Sequence, residues 1–149
     1  SKLIALHETN KKRLTWVWHE LGKSSLSHSL QFLVQMAKIC TEAFPSSSIE
    51  ELKNYYTSEG LQADQYMRKA FAAVKSDKDK KAIRAIIQLV YQPWLEIVTN
   101  QFQSLVKTDA TIFSNQKAVE ETEKYVLFVD AFRYELAQEF NERLIKAHL

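Results

Sequence analysis

An acidic residue at the end of an apolar run is the feature of this sequence with the clearest capacity for chemistry. Residues 125–129 are five consecutive apolar residues, mostly β-branched or aromatic, and Asp130 follows them directly. Runs of this kind are typical of strands buried on both faces of a parallel sheet. Because α/β enzymes often place metal ligands and catalytic groups at the carboxyl ends of such strands, Asp130 is a candidate metal ligand.

A structural role for Asp130 competes with metal binding. Asp is a common N-cap residue, and the apolar residues after it recur at helical spacing. We therefore expect a helix after Asp130, with the Asp130 carboxylate as its cap in the isolated chain. Arg133 could pair with Glu135 or with another nearby carboxylate in the first turn, and neither residue is assigned to catalysis.

The other residues that bind metals or act as nucleophiles are scattered. The histidines do not cluster at metal-ligand spacing: they are His7, His19, His28 and His148. Cys40 is the only cysteine, which excludes an intrachain disulfide and favours a reducing compartment. No apolar run approaches the ~20 residues needed to cross a membrane. We predict a cytoplasmic protein without a catalytic or cofactor-binding residue in this chain.

Two clusters of basic residues raise the possibility of DNA binding. One is Lys11-Lys12-Arg13, and the other consists of Lys75, Lys78, Lys80, Lys81 and Arg84. Asp77 and Asp79 interrupt the second cluster, and the formal net charge of the chain is only +2. Solvated helix faces explain both clusters more simply, so DNA binding ranks last among the functions considered.

Composition predicts a mostly helical fold. The 149 residues include only two glycines and two prolines, too few turn residues for an all-β fold, and 46% of them are hydrophobic. The expected fold is all-α or mostly α, a multi-helix bundle with antiparallel helix hairpins and at most one short strand at about 125–129. We place a helical bundle domain at 1–114, and a linker helix with the first βα unit of a second domain at 115–149.

Several local signals set the expected helix boundaries. An amphipathic first helix should stop near Gly22, and Ser48 with Glu51 forms a capping box that starts a later helix. Gly60 is suited to a left-handed turn after that helix. Ser76 can cap the next long helix, which Pro93 must either kink or divide.

Two stretches of the sequence resemble a known family. Tyr125-Val-Leu-Phe-Val-Asp-Ala-Phe-Arg-Tyr-Glu-Leu-Ala, with Asn141-Glu-Arg-Leu after it, looks like the start of the PglZ domain. This domain of the alkaline phosphatase superfamily occurs in bacteriophage-exclusion (BREX) and related phage growth limitation systems. Upstream, Tyr55-Tyr-Thr-Ser-Glu-Gly-Leu-Gln-Ala-Asp-Gln-Tyr-Met-Arg is similar to a helical segment that precedes the phosphatase domain. It departs from the family pattern at Leu61, where a tryptophan is expected.

The resemblance implies a metal-dependent hydrolase of phosphate or sulfate esters. By position, Asp130 corresponds to the strand-end Asp that binds a divalent metal, commonly zinc. The nucleophile and the remaining ligands of that superfamily come from later strands, so we expect a piece of a phosphoesterase without activity of its own. A catalytic zinc takes three protein ligands and keeps an open position, which one carboxylate cannot provide.

Two other functions stay open beside the phosphoesterase. The helical bundle could be a scaffold that docks partner subunits, for which an exposed member of the pair Trp16 and Trp18 would be a marker. DNA binding is the third. The expected partners are the rest of the parent phosphatase domain, other phage-defence subunits, and a second copy of the chain paired through residues 125–129. DNA and membranes are not expected partners.

Overall fold

The computed structural model describes residues 2–17, 21, 24–44, 47–108 and 129–147. Over these ranges the chain is a helical bundle, as predicted, and contains no strand. Its elements in chain order are α1 (Lys2–Asn10), a 3₁₀ segment (Lys11–Thr15), α2 (Ser25–Thr41), α3 (Ile49–Tyr55), a π turn (Tyr56–Gly60), α4 (Leu61–Ala72), α5 (Asp77–Thr108) and α6 (Tyr134–Lys146). None of the helices within these ranges is long and apolar enough to cross a membrane.

The core lies between α2, α4 and α5. The buried residues of this core cluster are Leu33, Met36, Tyr55, Ala63, Ala70, Val74, Ile83, Tyr91 and Trp94. The two alanines let α2 and α4 pack closely, and these two helices share the most extensive contact in the described structure. Buried Ser29 strengthens the same interface because its hydroxyl donates a 2.8 Å hydrogen bond to the Ala70 carbonyl.

Serine residues cap two of the helices, as the sequence predicts. Ser48 accepts a 3.2 Å hydrogen bond from the Glu51 amide at the start of α3, and Ser76 accepts one of 3.2 Å from the Asp79 amide at the start of α5. The Glu51 carboxylate accepts a hydrogen bond from the Ser47 hydroxyl, which lies one residue before the cap. Each capped amide would otherwise lack a partner within its helix.

The prediction of one continuous first helix is wrong. Helix α1 ends at Asn10, a 3₁₀ segment follows, and the chain is extended at Trp16 with φ −79° and ψ 146°. Side chains compete with the helical backbone here, since Thr9 donates to the Ala5 carbonyl at 2.9 Å and Asn10 to the Leu6 carbonyl at 2.8 Å. The predicted end near Gly22 lies outside the described residues.

The prediction of a left-handed turn at Gly60 is also wrong. Gly60 has φ −59° and ψ −37°, which are right-handed helical values, and a π turn carries the chain from α3 into α4 without a break. A Cβ at this position would lie 3.1 Å from Tyr56 Cδ2 and 3.3 Å from Tyr55 Cε1. Glycine at position 60 therefore makes room for two tyrosine rings. The backbone conformation there does not require glycine.

Pro93 lies inside the long helix α5, which runs from Asp77 to Thr108. Of the two predicted outcomes, a second helix starting at Pro93 is excluded. Proline lacks the amide that would bond to the Leu89 carbonyl one turn earlier. Leu89 and Pro93 are both exposed, so the missing hydrogen bond lies on the solvent side of the helix.

The helix predicted after Asp130 is present as α6, but its N-cap is Arg133, with φ −62° and ψ 143°. The prediction that Asp130 caps this helix is therefore wrong. Asp130 lies three residues too early because Ala131 is in the left-handed region at φ 51° and starts a turn before the helix. Residues 115–128, with the predicted linker helix and most of the predicted strand, lie outside the described residues. Val129, the last residue of that run, is exposed and belongs to no helix or strand.

Candidate functional site

A buried carboxylate on α4 is the centre of the most elaborate polar cluster in the described structure. Asp64 is 3% exposed and receives hydrogen bonds from two tyrosines. The Tyr56 hydroxyl donates to Asp64 Oδ2 at 2.5 Å, and the Tyr91 hydroxyl donates to Asp64 Oδ1. These donors come from the π turn and from α5, so Asp64 joins three helical segments.

Arg133 connects this carboxylate to a second one. Its Nη2 lies 3.3 Å from Asp64 Oδ1, and its Nε lies 2.9 Å from Glu135 Oε1. The Glu135 side chain is fully buried, whereas that of Arg133 is half exposed. The guanidinium thus bridges two buried carboxylates, and it supplies the positive charge that makes their burial tolerable.

Burial and hydrogen bonding keep the two tyrosines of the cluster protonated. Burial raises the pKa of Tyr56 and of Tyr91, and the hydrogen bond that each donates to Asp64 raises it further. Partial burial alone would lower the pKa of Arg133, but the charges of Asp64 and Glu135 outweigh that effect and raise it. Tyr56, Tyr91 and Arg133 are therefore fixed donors at neutral pH.

The π turn aims Tyr56 at Asp64. In a π turn the backbone is wider than in an α-helix, and such turns often occur at functional sites. The Tyr56 ring also lies 6.2 Å from the ring of Tyr134, the first residue of α6. One aromatic side chain of the turn therefore contacts both the buried carboxylate and the helix that follows Arg133.

A second ionic cluster attaches α6 further along. Glu139 Oε2 lies 2.8 Å from Arg68 Nη2, and Glu139 Oε1 lies 3.5 Å from Lys69 Nζ. Burial opposes ionisation of Glu139, but the hydrogen bond and charge of Arg68, together with Lys69, lower its pKa. Helix α6 is thus attached to α4 by ionic contacts at two places, its N-cap residue Arg133 and Glu139.

The predicted metal ligand, Asp130, lies at the surface next to this cluster in sequence. Its Oδ1 accepts a 2.8 Å hydrogen bond from the Ala131 amide, and its side chain does not join Asp64 or Glu135 in the ionic contacts described above. An exposed carboxylate suits one coordination position of a divalent metal ion such as zinc. No group of three or more His, Cys, Asp or Glu side chains in the described ranges could hold such an ion, so these residues do not form a complete metal site.

The remaining candidate ligands and nucleophiles lie on helices where the structure describes them. The His28 ring stacks on Phe32 with centroids 6.1 Å apart, and His7 lies on α1. His19 and His148 lie outside the described residues. Burial, with a smaller contribution from Asp64, raises the pKa of the Cys40 thiol to about 12, which makes it a poor nucleophile.

The residues of the two basic clusters lie mostly at the surface. Lys11 pairs with Glu8 at 3.8 Å, and Lys80 pairs with Asp77 at 3.9 Å. The Arg13 guanidinium lies 5.9 Å from the centroid of the Trp16 ring, which is exposed. Trp18, the other member of the tryptophan pair, lies outside the described residues.

An apolar groove runs between α3 and the second half of α5. Its volume is about 440 Å³, and it is lined by Ile49, Leu52, Lys53, Tyr56, Thr57, Leu95, Val98, Thr99 and Phe102. Leu95 and Phe102 remain exposed on its α5 side. Tyr56 belongs both to this groove and to the Asp64 cluster.

The structure brings together residues that the sequence presented separately. The predicted pairing of Arg133 with Glu135 is present, whereas the contact with Asp64 was not predicted. One signal could have revealed the contact with Asp64. Asp64 is a carboxylate beside buried Ala63 on the inward face of α4, where an unpaired charge is costly, so a positively charged partner is expected. No signal in the sequence indicates that Tyr91 is its donor.

Comparison of the chain with protein-family models, with curated proteins and with solved structures finds no match.

Proposed function

We propose that this chain is the helical unit that precedes and enters a PglZ-type phosphoesterase domain of a cytoplasmic phage-defence protein. In this proposal Asp130 is the first ligand of a divalent metal, commonly zinc in the superfamily. The parent protein hydrolyses a phosphate or sulfate ester, and the present residues anchor the start of its catalytic domain without being active themselves.

The contact between Asp64 and Arg133 is the observation that carries the proposal. Each residue belongs to one of the two sequence stretches that resemble the PglZ family, and the described structure joins them at 3.3 Å. Arg68 and Glu139 extend the same association at 2.8 Å. Two stretches that resemble successive parts of one family would be expected to pack against each other in this way.

The metal requires more ligands than the described residues offer. Asp130 fits a single coordination position, and a catalytic zinc takes three protein ligands. The proposal therefore needs the nucleophile and the other ligands to come from residues after Leu149 in the parent protein. When bound, the metal would act as a Lewis acid on the ester.

Hydrolysis by a longer protein tests this proposal. A version continuing past Leu149 should hydrolyse an aryl phosphate when divalent metal is added, and Asp130→Asn should reduce the rate by at least about 100-fold because a metal ligand is lost. Glu142→Gln, an exposed position on α6, is the matched control and should retain the wild-type rate. Equal rates for Asp130→Asn and the wild type would refute the assignment of Asp130.

A second candidate function is a scaffold that docks a partner subunit. The apolar groove between α3 and α5 favours it, because apolar side chains on two adjacent helices can receive a third helix. A partner bound there should co-purify at high salt, since apolar contacts are not screened. Phe102→Asp should abolish that co-purification, and an interaction unaffected by Phe102→Asp would exclude the groove as its site.

A further inference from the structure

We infer that Arg133 is a positioning residue, which holds the Asp130 turn at a fixed place on the bundle through its contact with Asp64. This inference rests on the proposed function, because it gives the turn importance as the first metal-ligand position. It adds a role for two residues, Asp64 and Arg133, to which the proposed function assigns no contact with the metal.

The turn from Asp130 to Arg133 has hydrogen bonds at both of its ends. Ala131 is at φ 51°, and its amide donates to Asp130 Oδ1 at 2.8 Å, which closes the turn on the Asp130 side. On the other side, the Arg133 carbonyl accepts hydrogen bonds of 3.0 Å from the amides of Leu136 and Ala137. Two residues separate Asp130 from Arg133, so their Cα atoms cannot lie more than about 10 Å apart. Fixing Arg133 therefore limits where the Asp130 turn can lie.

Arg133 is fixed despite being half exposed. Its Nη2 contacts a carboxylate that is itself immobilised by the hydroxyls of Tyr56 and Tyr91. Its Nε contacts fully buried Glu135 at 2.9 Å. The planar guanidinium lies within ion-pair distance of both carboxylates at once, which the single ammonium group of a lysine cannot reproduce.

Glu139 provides the matched comparison. Its ion pairs with Arg68 and Lys69 also attach α6 to α4, but Glu139 is more than one turn further along the helix from Arg133. Removing Glu139 should weaken the attachment of α6 and leave the turn at Asp130 in place. A purely structural role for Arg133 would make the Arg133 and Glu139 variants behave alike.

Amide hydrogen exchange of the present chain tests whether Arg133 holds the turn. In Arg133→Lys and in Asp64→Asn, the amides of Leu136 and Ala137 should exchange about 10-fold faster, as expected when one partly buried ion pair is lost. The amide of Met36 in the core should be unaffected in Arg133→Lys. In Asp64→Asn it should be accelerated less than the Leu136 amide, because Asp64 also stabilises the packing of α4 and α5. In Glu139→Gln the Leu136 amide should stay within about twofold of wild type. Equal acceleration of Leu136 exchange in Arg133→Lys and Glu139→Gln would overturn the positioning role.

Metal affinity of the parent protein gives a second measurement that does not depend on turnover. Competition between the protein and a chromogenic chelator for Zn²⁺ should show Arg133→Lys binding about 10-fold more weakly, as supporting residues of metal sites typically do. Glu139→Gln should bind as wild type, and Asp130→Asn should lose the affinity. Wild-type affinity in Arg133→Lys alone would overturn the positioning role and leave the proposed function intact. Wild-type affinity in Asp130→Asn would overturn both.

Discussion

Asp64 shows how one buried charge can organise several helices. An isolated buried carboxylate is strongly disfavoured, so the sequence must supply donors from elsewhere. Tyr56, Tyr91 and Arg133 do so from the π turn, from α5 and from the residue before α6. All three contacts hold the Asp64 carboxylate within the bundle, as a structural role would require.

Removing the Asp64 carboxylate should destabilise the protein strongly. Asp64→Ala leaves two tyrosine hydroxyls without their acceptor and Arg133 without one of its two carboxylates, and we expect a loss of about 3 kcal/mol in the free energy of unfolding. Urea denaturation followed by circular dichroism measures this loss. Asp77→Ala is the control, because the Asp77 side chain is 95% exposed and should cost less than about 1 kcal/mol. A similar loss in both variants would contradict the account of the cluster.

The π turn between α3 and α4 is the element that sequence patterns did not predict. Glycine after a helix usually indicates a left-handed end, and that rule failed because the requirement at Gly60 is steric. The caps at Ser48 and Ser76 were predicted because a cap depends only on residues within one turn. The Asp64 cluster was not predicted, since its members are brought together by the packing of helices that are distant in sequence.

Replacing Gly60 by alanine tests whether the steric requirement at this position outweighs the higher helix propensity of alanine. Alanine favours a helix over glycine by about 1 kcal/mol, and φ at Gly60 permits it. The added Cβ would approach two aromatic rings that cannot easily move, because Tyr55 is buried and Tyr56 is bonded to Asp64. We expect the steric cost to be larger, with a net loss of about 1 kcal/mol in stability.

The control for this prediction lies in the same turn. Ser58 is exposed, so Ser58→Ala should keep wild-type stability within about 0.5 kcal/mol. A stabilised Gly60→Ala variant in thermal denaturation would show that helix propensity dominates at this position.

At the scale of the whole molecule, α6 is attached unusually for an amphipathic helix. Charged residues Glu135 and Glu139 face the bundle, while Phe132 and Phe140 are exposed and contact each other with centroids 6.3 Å apart. Between α2, α4 and α5, by contrast, most of the buried residues are apolar. Attachment of α6 should therefore respond to pH and salt.

Acid should weaken the attachment of α6 through Glu139. The pKa of Glu139 is lowered in the folded protein, so its ion pairs stabilise the protein fully above the usual glutamate pKa of about 4.3. That stabilisation is lost as pH falls through the lowered value. At pH 7 the free energy of unfolding of the wild type, measured by urea denaturation, should exceed that of Glu139→Gln by up to about 1 kcal/mol. The two proteins should coincide at pH 2, and a difference that persists there would contradict the ionic explanation.

The π turn also constrains how this segment can change in length. A π turn spans one residue more than an α-helical turn would, and each residue of an α-helix accounts for about 100° of rotation. Deleting one residue from Tyr56–Gly60 would leave a regular helix, but it would rotate α3 about its axis relative to α4. Leu52 and Tyr55 would then turn away from the core, and Tyr56 would no longer reach Asp64. The segment should thus accept many substitutions at its exposed positions, while the number of residues in it is fixed.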